Sequence, residues 1–219
     1  GTTLAEKPAM QNVLADLAIE TEAATLIGLR LAATVDQPND KHEQALRRIG
    51  LAMEKYWVCK RTTMMTAEAL ECLGGNGYIE ESGMPLLYRE SPVNSVWEGS
   101  GNVNALDVLR AIERSPESLE AWINEVGSVR GEDHRLDAAA ESVLAELADM
   151  SNPEAKARRV TSRMAAVLQG VLLVKYSDPV ASHTFWASRL GGDWDGTFGT
   201  LPSNTDFSTI IERATPVTS

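Results

Sequence analysis

The feature that most constrains the fold is a long segment without proline, which spans residues 42–73. Apolar residues recur along it every three or four positions, as they do on the buried face of a helix. A helix of about 30 residues would be roughly 45 Å long, a length typical of helical bundles. Only 5% of the residues are aromatic whereas 43% are hydrophobic, and this balance favours helices over a β-sandwich. We therefore expect an all-α protein.

Turn signals divide the first half of the chain into further helices. Pro8 suits the first position of a helix that ends in the Asp, Asn and Pro residues of 36–40. A third helix is predicted at about 103–112, and residues 79–95 are expected to form an ordered loop with one helical turn near 86–90. Three helices joined by turns make most of an antiparallel bundle.

The break at Ser115-Pro116-Glu117 is the natural boundary between two parts of the chain. We expect an antiparallel helical bundle over residues 1–114 and an appended C-terminal helical domain over residues 115–219. Within the second part, the apolar periodicity predicts helices at about 117–126, 133–150, 153–176, 179–190 and 205–214.

Charge and cysteine content limit the functional classes. The chain carries 20 Lys and Arg against 31 Asp and Glu, a net charge of −11, and neither half is basic. Such a charge opposes non-specific binding to phosphate backbones. Cys59 and Cys72 would lie about 20 Å apart along one helix, beyond disulfide reach, which predicts reduced thiols in a cytoplasmic protein. We expect no membrane partner and no metal site.

A glycine-rich turn follows the long helix in the run Leu73-Gly74-Gly75-Asn76-Gly77-Tyr78. Closely spaced glycines expose backbone N–H groups and allow a phosphate or another backbone to approach closely. The same residues can also serve simply as a helix C-terminal cap. Because the turn follows a helix and no strand, it matches neither a Walker loop nor a dinucleotide-binding fingerprint.

A single carboxylate stands out in the run Val96-Trp97-Glu98-Gly99-Ser100-Gly101-Asn102. We expect Val96 and Trp97 to shield Glu98 from water while the glycines leave room for a ligand. A carboxylate in that setting can act as the base that removes a weakly acidic C–H proton. A helix-capping or salt-bridged glutamate is the alternative that these residues leave open.

Together, the two runs resemble the C-terminal domain of the acyl-CoA dehydrogenase family. The resemblance covers about residues 1–112, from the opening Gly1-Thr2-Thr3-Leu4 to Asn102. The block from Glu80-Glu81-Ser82-Gly83 to Leu87-Tyr88-Arg89-Glu90-Ser91-Pro92 and the appended domain are similar to the AidB-like, alkylation-response branch of that family.

This resemblance implies an FAD-dependent oxidoreductase that acts on an acyl-CoA. Leu4, Glu71, Gly74 and Gly75 would contact the FAD of a neighbouring subunit, whereas Ser100 and Asn102 would contact the FAD of their own subunit. Glu98 would remove the α-proton of the acyl-CoA while a β-hydride passes to the flavin. A homotetramer with shared FAD sites is implied as well.

The resemblance also implies that the chain is a C-terminal fragment. Family members carry an N-terminal helical domain and a middle β domain, which hold the flavin ring and most of the substrate pocket, so we expect this fragment alone to be inactive. Three residues depart from the common pattern: Glu71 and Pro8 replace Gln, and Ser100 replaces Thr. Pro8 removes a polar contact, and Glu71 exchanges an amide donor for an acceptor.

The AidB-like branch is further linked with DNA, and four basic residues of one predicted helix could contact it: Lys156, Arg158, Arg159 and Arg163. A solvated or salt-bridged helix face is the alternative. The aromatic residues of 185–198 could stack bases, or could pack a loop onto the helices. Two functional hypotheses result: an acyl-CoA dehydrogenase, and a DNA-associated alkylation-response flavoprotein with little acyl-CoA turnover.

Overall fold

A computed structural model describes residues 1–149 and 151–217, and the regular elements in these residues are helical. The helices are α1 (Pro8–Ala33), α2 (Lys41–Cys72), α3 (Gly75–Tyr78), α4 (Met84–Glu90), α5 (Gly101–Arg114), α6 (Pro116–Gly127), α7 (His134–Ala148), α8 (Pro153–Tyr176), α9 (Pro179–Phe185) and α10 (Phe207–Ala214). Short 3-10 turns occur at Leu4–Glu6, Glu80–Ser82 and Ser91–Ser95, and a π-helical turn occurs at Trp186–Leu190. The all-α prediction is confirmed.

Local sequence signals explain where most of these helices begin. Proline occupies the first position of α1, α6, α8 and α9, where its missing N–H costs no helical hydrogen bond. The other main starting signal is an aspartate whose side chain accepts a backbone N–H of the first turn, as Asp40 does from Glu43 at 3.1 Å. Asp133, Asp178 and Asp206 cap α7, α9 and α10 in the same way.

Two segments differ from the predicted pattern. Residues 75–78 form the short helix α3 directly after the glycine turn, and the helical part of the 79–95 segment is a full helix, α4. Met150, the last residue of the helix predicted at 133–150, lies outside the described residues.

The core forms where α1, α2, α5, α6 and α8 pack together. On α1 the buried positions Ala15, Ile19, Ala23, Ile27 and Leu31 recur every fourth residue and form one stripe. Helix α8 is different, because every residue from Met164 to Leu173 is buried. A segment that is buried on all sides must be surrounded by other elements, and this part of α8 therefore lies at the centre of the molecule.

The predicted boundary coincides with the break between α5 and α6, since α5 ends at Arg114 and α6 begins at Pro116. One hydrophobic cluster nevertheless includes residues from both sides of that break. A polar contact crosses it too, because Trp57 Nε1 donates to Gln169 Oε1 at 2.9 Å. The division into two domains at residue 115 stays a prediction.

Candidate functional site

The glycine turn has a backbone that only glycine accepts readily. Gly74 adopts φ 59° and ψ −142°, directly after the last residues of α2. Gly77 is buried, and a Cβ atom at that position would lie 2.0 Å from the carbonyl oxygen of Leu70. These two glycines are therefore required by the shape of the turn itself.

Gly75 has no such structural role. It is exposed, and a Cβ atom built on Gly75 or on Gly74 would meet no atom within 4 Å. Glu71 is also exposed, and Leu4, in the 3-10 turn before α1, is 65% exposed. The four residues predicted to contact a neighbouring subunit's FAD therefore all face open space.

The loop that carries Glu98 is held against α2 by hydrogen bonds. Lys55 Nζ donates to the carbonyl oxygens of Asn94, at 2.5 Å, and Trp97, at 3.0 Å. Ser95 Oγ donates to the carbonyl oxygen of Cys59 at 2.8 Å. Within the loop, Glu98 itself adopts φ 53°, in the left-handed region that non-glycine residues seldom occupy.

Glu98 is exposed on this loop, at the edge of a cavity of about 700 Å³. The cavity is lined by Gln44, Arg47, Arg48, Leu51, Ala52, Glu54, Lys55, Glu98, Asn104 and Asp107. Val96 and Trp97 are 65% and 59% exposed, so the expected shielding of Glu98 by its neighbours does not occur within this chain. Glu54 and Asp107 add two more carboxyl groups to the lining of this cavity. Burial raises the pKa of Glu54, and the charge of Lys55 partly offsets this rise.

Ser100 and Asn102 lie at the start of α5 and are both exposed. Ser100 occupies the cap position, yet its side chain makes no capping hydrogen bond, which leaves the hydroxyl available. Asn104 instead closes the turn, because its Nδ2 donates to the carbonyl oxygen of Gly99 at 2.7 Å. The beginning of this 14-residue helix thus presents polar groups and backbone N–H groups to solvent.

The two motifs do not meet within one chain. The Glu98 loop is attached to α2 at Lys55, whereas the glycine turn follows Leu73 at the end of the same helix. This separation along α2 corresponds to about 27 Å of helix axis at 1.5 Å per residue. Within one chain, Glu98 and the glycine turn therefore lie in two separate places along α2.

Three of the four candidate DNA-contacting residues are engaged in ion pairs. Glu146 binds Arg159 at 2.8 Å and Arg163 at 3.0 Å, and Lys156 pairs with Asp149. Arg158 is exposed and lies over the ring of Tyr56, with 5.7 Å between its Cζ and the ring centroid. The salt-bridged alternative thus describes three of these residues.

A buried charge cluster was missed at the level of sequence. Asp16 and Glu20 on α1 are 0% and 3% exposed, and both accept hydrogen bonds from Arg189. Glu20 also forms a bidentate pair with Arg61 of α2. The signal was present in the sequence, because Asp16 and Glu20 are spaced four apart on the apolar side of α1.

The aromatic loop after α9 packs onto this cluster. Trp194 Nε1 and the Gly199 N–H donate to Asp16 Oδ2 at 3.1 and 2.9 Å. Arg61 lies beneath the rings of Trp194 and Phe198, at 5.0 and 5.3 Å from their centroids. Packing of the loop onto the helices is therefore the observed role of these aromatic residues.

Other site classes receive no support from the part of the chain that is described. Cys59 and Cys72 are free thiols. In residues 1–149 and 151–217 there is no cluster of three His, Cys, Asp or Glu side chains suited to a metal ion. None of the helices there combines the length and apolar character that a membrane crossing demands.

Comparison with known proteins identifies the first half of the chain. Residues 1–113 match the family model for the acyl-CoA dehydrogenase C-terminal domain. AidB of Escherichia coli (strain K12) is 36% identical over 179 residues, which cover 82% of this chain and 33% of AidB. Acyl-CoA dehydrogenase family member 11 of Caenorhabditis elegans is 29% identical over 204 residues, which cover 81% of this chain and 32% of that protein.

Solved structures agree with the fold. The crystal structure of Caenorhabditis elegans ACDH-11 in complex with C11-CoA superposes with a TM-score of 0.73 at 24% identity and covers 85% of this chain and 36% of that one. The chain spans about a third of the length of these relatives. On the family match and the AidB similarity, the chain belongs to the acyl-CoA dehydrogenase family, as an AidB-like member.

Proposed function

We propose that the protein is an FAD-dependent acyl-CoA dehydrogenase, with Glu98 as the base that removes the α-proton of an acyl-CoA. The observation that carries this proposal is the exposed Glu98 on a loop with a left-handed backbone, at the edge of a large cavity. FAD, when bound, would accept the hydride from the β-carbon. The role of this chain would be to position the Glu98 carboxylate and to provide polar groups that bind the cofactor.

The residues present fit FAD at most positions. Gly74 and Gly75 have open space above their backbones, so a phosphate could approach closely. Ser100 has a hydroxyl that does not cap its own helix, and Asn102 is exposed in the first turn of α5. Glu71 fits less well, because an ionised carboxylate can only accept hydrogen bonds near a phosphate.

The wider assembly follows from the same proposal. The half-sites lie far apart on one chain, which supports FAD sites shared between subunits and a homo-oligomer, with a tetramer expected. The remaining part of the longer protein would supply the shielding that Val96 and Trp97 do not provide. A cytoplasmic location is proposed on the basis of the free thiols.

The test uses the full-length natural protein, whose visible spectrum should show bound flavin. Acyl-CoAs of several chain lengths should then bleach the oxidised flavin under anaerobic conditions. Glu98→Gln should abolish this bleaching while the flavin is retained, whereas Glu81→Gln, a change at another exposed glutamate, should leave it intact. Absence of flavin from the purified protein would rule out the proposal.

The second candidate is an AidB-like alkylation-response flavoprotein, associated with DNA, with little acyl-CoA turnover. The similarity to AidB and the departures at Glu71 and Pro8 favour it. The same flavin experiment separates the two candidates. Flavin that stays oxidised with every acyl-CoA supports the second, and bleaching that depends on Glu98 supports the first.

A further inference from the structure

The loop that carries Glu98 is fixed at its upstream side by hydrogen bonds to α2. Lys55 and Ser95 donate these hydrogen bonds, and the donors and acceptors all belong to the first 114 residues of the chain. Because Glu98 and Gly99 have φ values of 53° and 111°, the loop needs firm attachment at both ends to keep this conformation.

The downstream side is fixed differently, through the backbone of Gly101. A Cβ atom built on Gly101 would lie 2.9 Å from Lys60 Cε, 3.5 Å from Tyr56 Cε2 and 3.4 Å from Arg158 Nη2. The first residue of α5 therefore packs directly against side chains of α2 and α8. Arg158 is the residue among them that comes from the second half of the chain.

Arg158 is itself held in place by packing. Its guanidinium lies over the ring of Tyr56 at 5.7 Å, a favourable cation–π arrangement. Tyr56, Ala105 and Ala157 form a small core cluster of their own, which joins α2, α5 and α8 below this contact. Within the described residues Arg158 forms no salt bridge, unlike the ion-paired Arg159 beside it.

We propose that Arg158 is a positioning residue for Glu98. Its guanidinium, stacked on Tyr56, holds the first turn of α5 and thereby fixes the backbone from Glu98 to Gly101. The helices after residue 115 thus take part in the geometry of the candidate base. The contact itself stands on the structure alone, while its consequence for catalysis rests on the proposed function.

The first test is hydrogen exchange, in the 219-residue chain, of the hydrogen-bonded amides on either side of the loop. These are the amide of Trp97, which donates to the Val93 carbonyl oxygen, and the amides of residues 104–107 in the first hydrogen-bonded turn of α5. Arg158→Gln should speed exchange of these amides by about tenfold, because the downstream attachment of the loop is lost. Arg158→Lys, which keeps the charge over Tyr56, should restore most of the protection. Arg159→Gln is the matched control on the same helix and should stay within about twofold of the wild type.

The second test measures flavin reduction in the full-length holoprotein. Arg158→Gln should slow reduction by a saturating acyl-CoA about tenfold or more while FAD affinity stays unchanged, since a misplaced base lowers the rate of the chemical step. A general loss of structure would lower FAD affinity as well. Partial recovery by Arg158→Lys would support positioning by the charge.

The outcomes separate the two proposals. A wild-type flavin that no acyl-CoA reduces rejects the proposed function, and the exchange experiment then still decides the role of Arg158. Equal exchange in Arg158→Gln and the wild type, or equal effects of Arg158→Gln and Arg159→Gln, overturns the positioning role.

Discussion

Glu20 and Arg61 form a bidentate ion pair in the interior, with Nε–Oε1 and Nη2–Oε2 distances of 2.7 and 2.9 Å. The side chains are only 4% and 10% exposed. Arg189 adds a second cation, since its Nη2 lies 3.0 Å from Glu20 Oε2. Glu20 therefore bridges a charge from α2 and a charge from the turn after α9, and Asp16 is the second carboxylate that pairs with Arg189.

We expect Glu20 to make the fold sensitive to acid. Burial alone raises the pKa of Glu20, but the hydrogen bonds and charges of Arg61 and Arg189 outweigh it, and the pKa lies below its usual value. A carboxyl group with a depressed folded pKa stabilises the fold above its unfolded pKa, and that contribution is lost as the pH falls through the folded value. Chemical unfolding from pH 7 downward should show this loss.

Glu20→Gln should lower the free energy of unfolding at neutral pH by about 3–5 kcal/mol, because the buried guanidinium of Arg61 loses its carboxylate partner while Arg189 keeps only Asp16. The same variant should also show a weaker fall in the free energy of unfolding as the pH is lowered. Glu22→Gln is the matched control on α1. Glu22 pairs with Arg213 nearer the surface, with side chains 26% and 41% exposed, and this substitution should cost about 1 kcal/mol or less. Equal losses in the two variants would contradict the role given to the buried pair.

Gly77→Ala and Gly75→Ala should have opposite effects on stability. The new methyl at position 77 meets the Leu70 carbonyl oxygen, whereas position 75 is open. We expect a loss of about 1–3 kcal/mol or more for Gly77→Ala and a gain of up to about 1 kcal/mol for Gly75→Ala. Urea unfolding of the chain measures both. A stable Gly75→Ala variant with weakened FAD binding would support the cofactor role of that residue.

Glu98→Asn should stabilise the chain while it removes the proposed base. Asparagine tolerates the left-handed backbone better than glutamate, so we expect a gain of about 0.5–1 kcal/mol. Thermal unfolding of the chain checks the gain, and flavin bleaching in the holoprotein checks the loss of chemistry. Glu81→Asn, at an exposed glutamate within a 3-10 turn, should show no such gain.

Charge reversal at Arg159 and Arg163 should leave DNA affinity unchanged, because Glu146 already neutralises both residues. If both contacted phosphates, the reversal would weaken binding and reduce the slope of log affinity against log salt by about 2. Titration of a fluorescent duplex at several salt concentrations measures both quantities. A weaker affinity with a flatter salt slope would restore these residues as the DNA contact.

Helix positions were predictable because their signals are local. Proline at first positions, aspartate caps and the spacing of Ala15, Ile19 and Ala23 all act within one or two turns. The helix α3 was not predictable, because Gly75-Asn76-Gly77-Tyr78 has weak helix propensity. Its backbone is fixed instead by the close approach of Gly77 to Leu70.

The sequence predicts which residues belong to the candidate site, but it does not predict how far apart they lie. Family motifs identified Glu98 and the glycine turn, but only the rigid length of α2 reveals that they lie far apart. Contacts between residues far apart in the sequence could not be predicted, because the helical periodicity does not indicate which helices pack against each other. The ion pair of Asp16 with Arg189, 173 positions away, and the stacking of Arg158 on Tyr56 are such contacts.

The position of α8 at the centre of the molecule has a consequence for how the chain can be divided. Because its residues Met164–Leu173 are enclosed by helices from both halves, removal of the second half would expose apolar faces of α1 and α2 to water. A segment cut after residue 113, where the family match ends, would then tend to self-associate. We therefore expect the smallest piece that folds by itself to be larger than the segment that matches the family model.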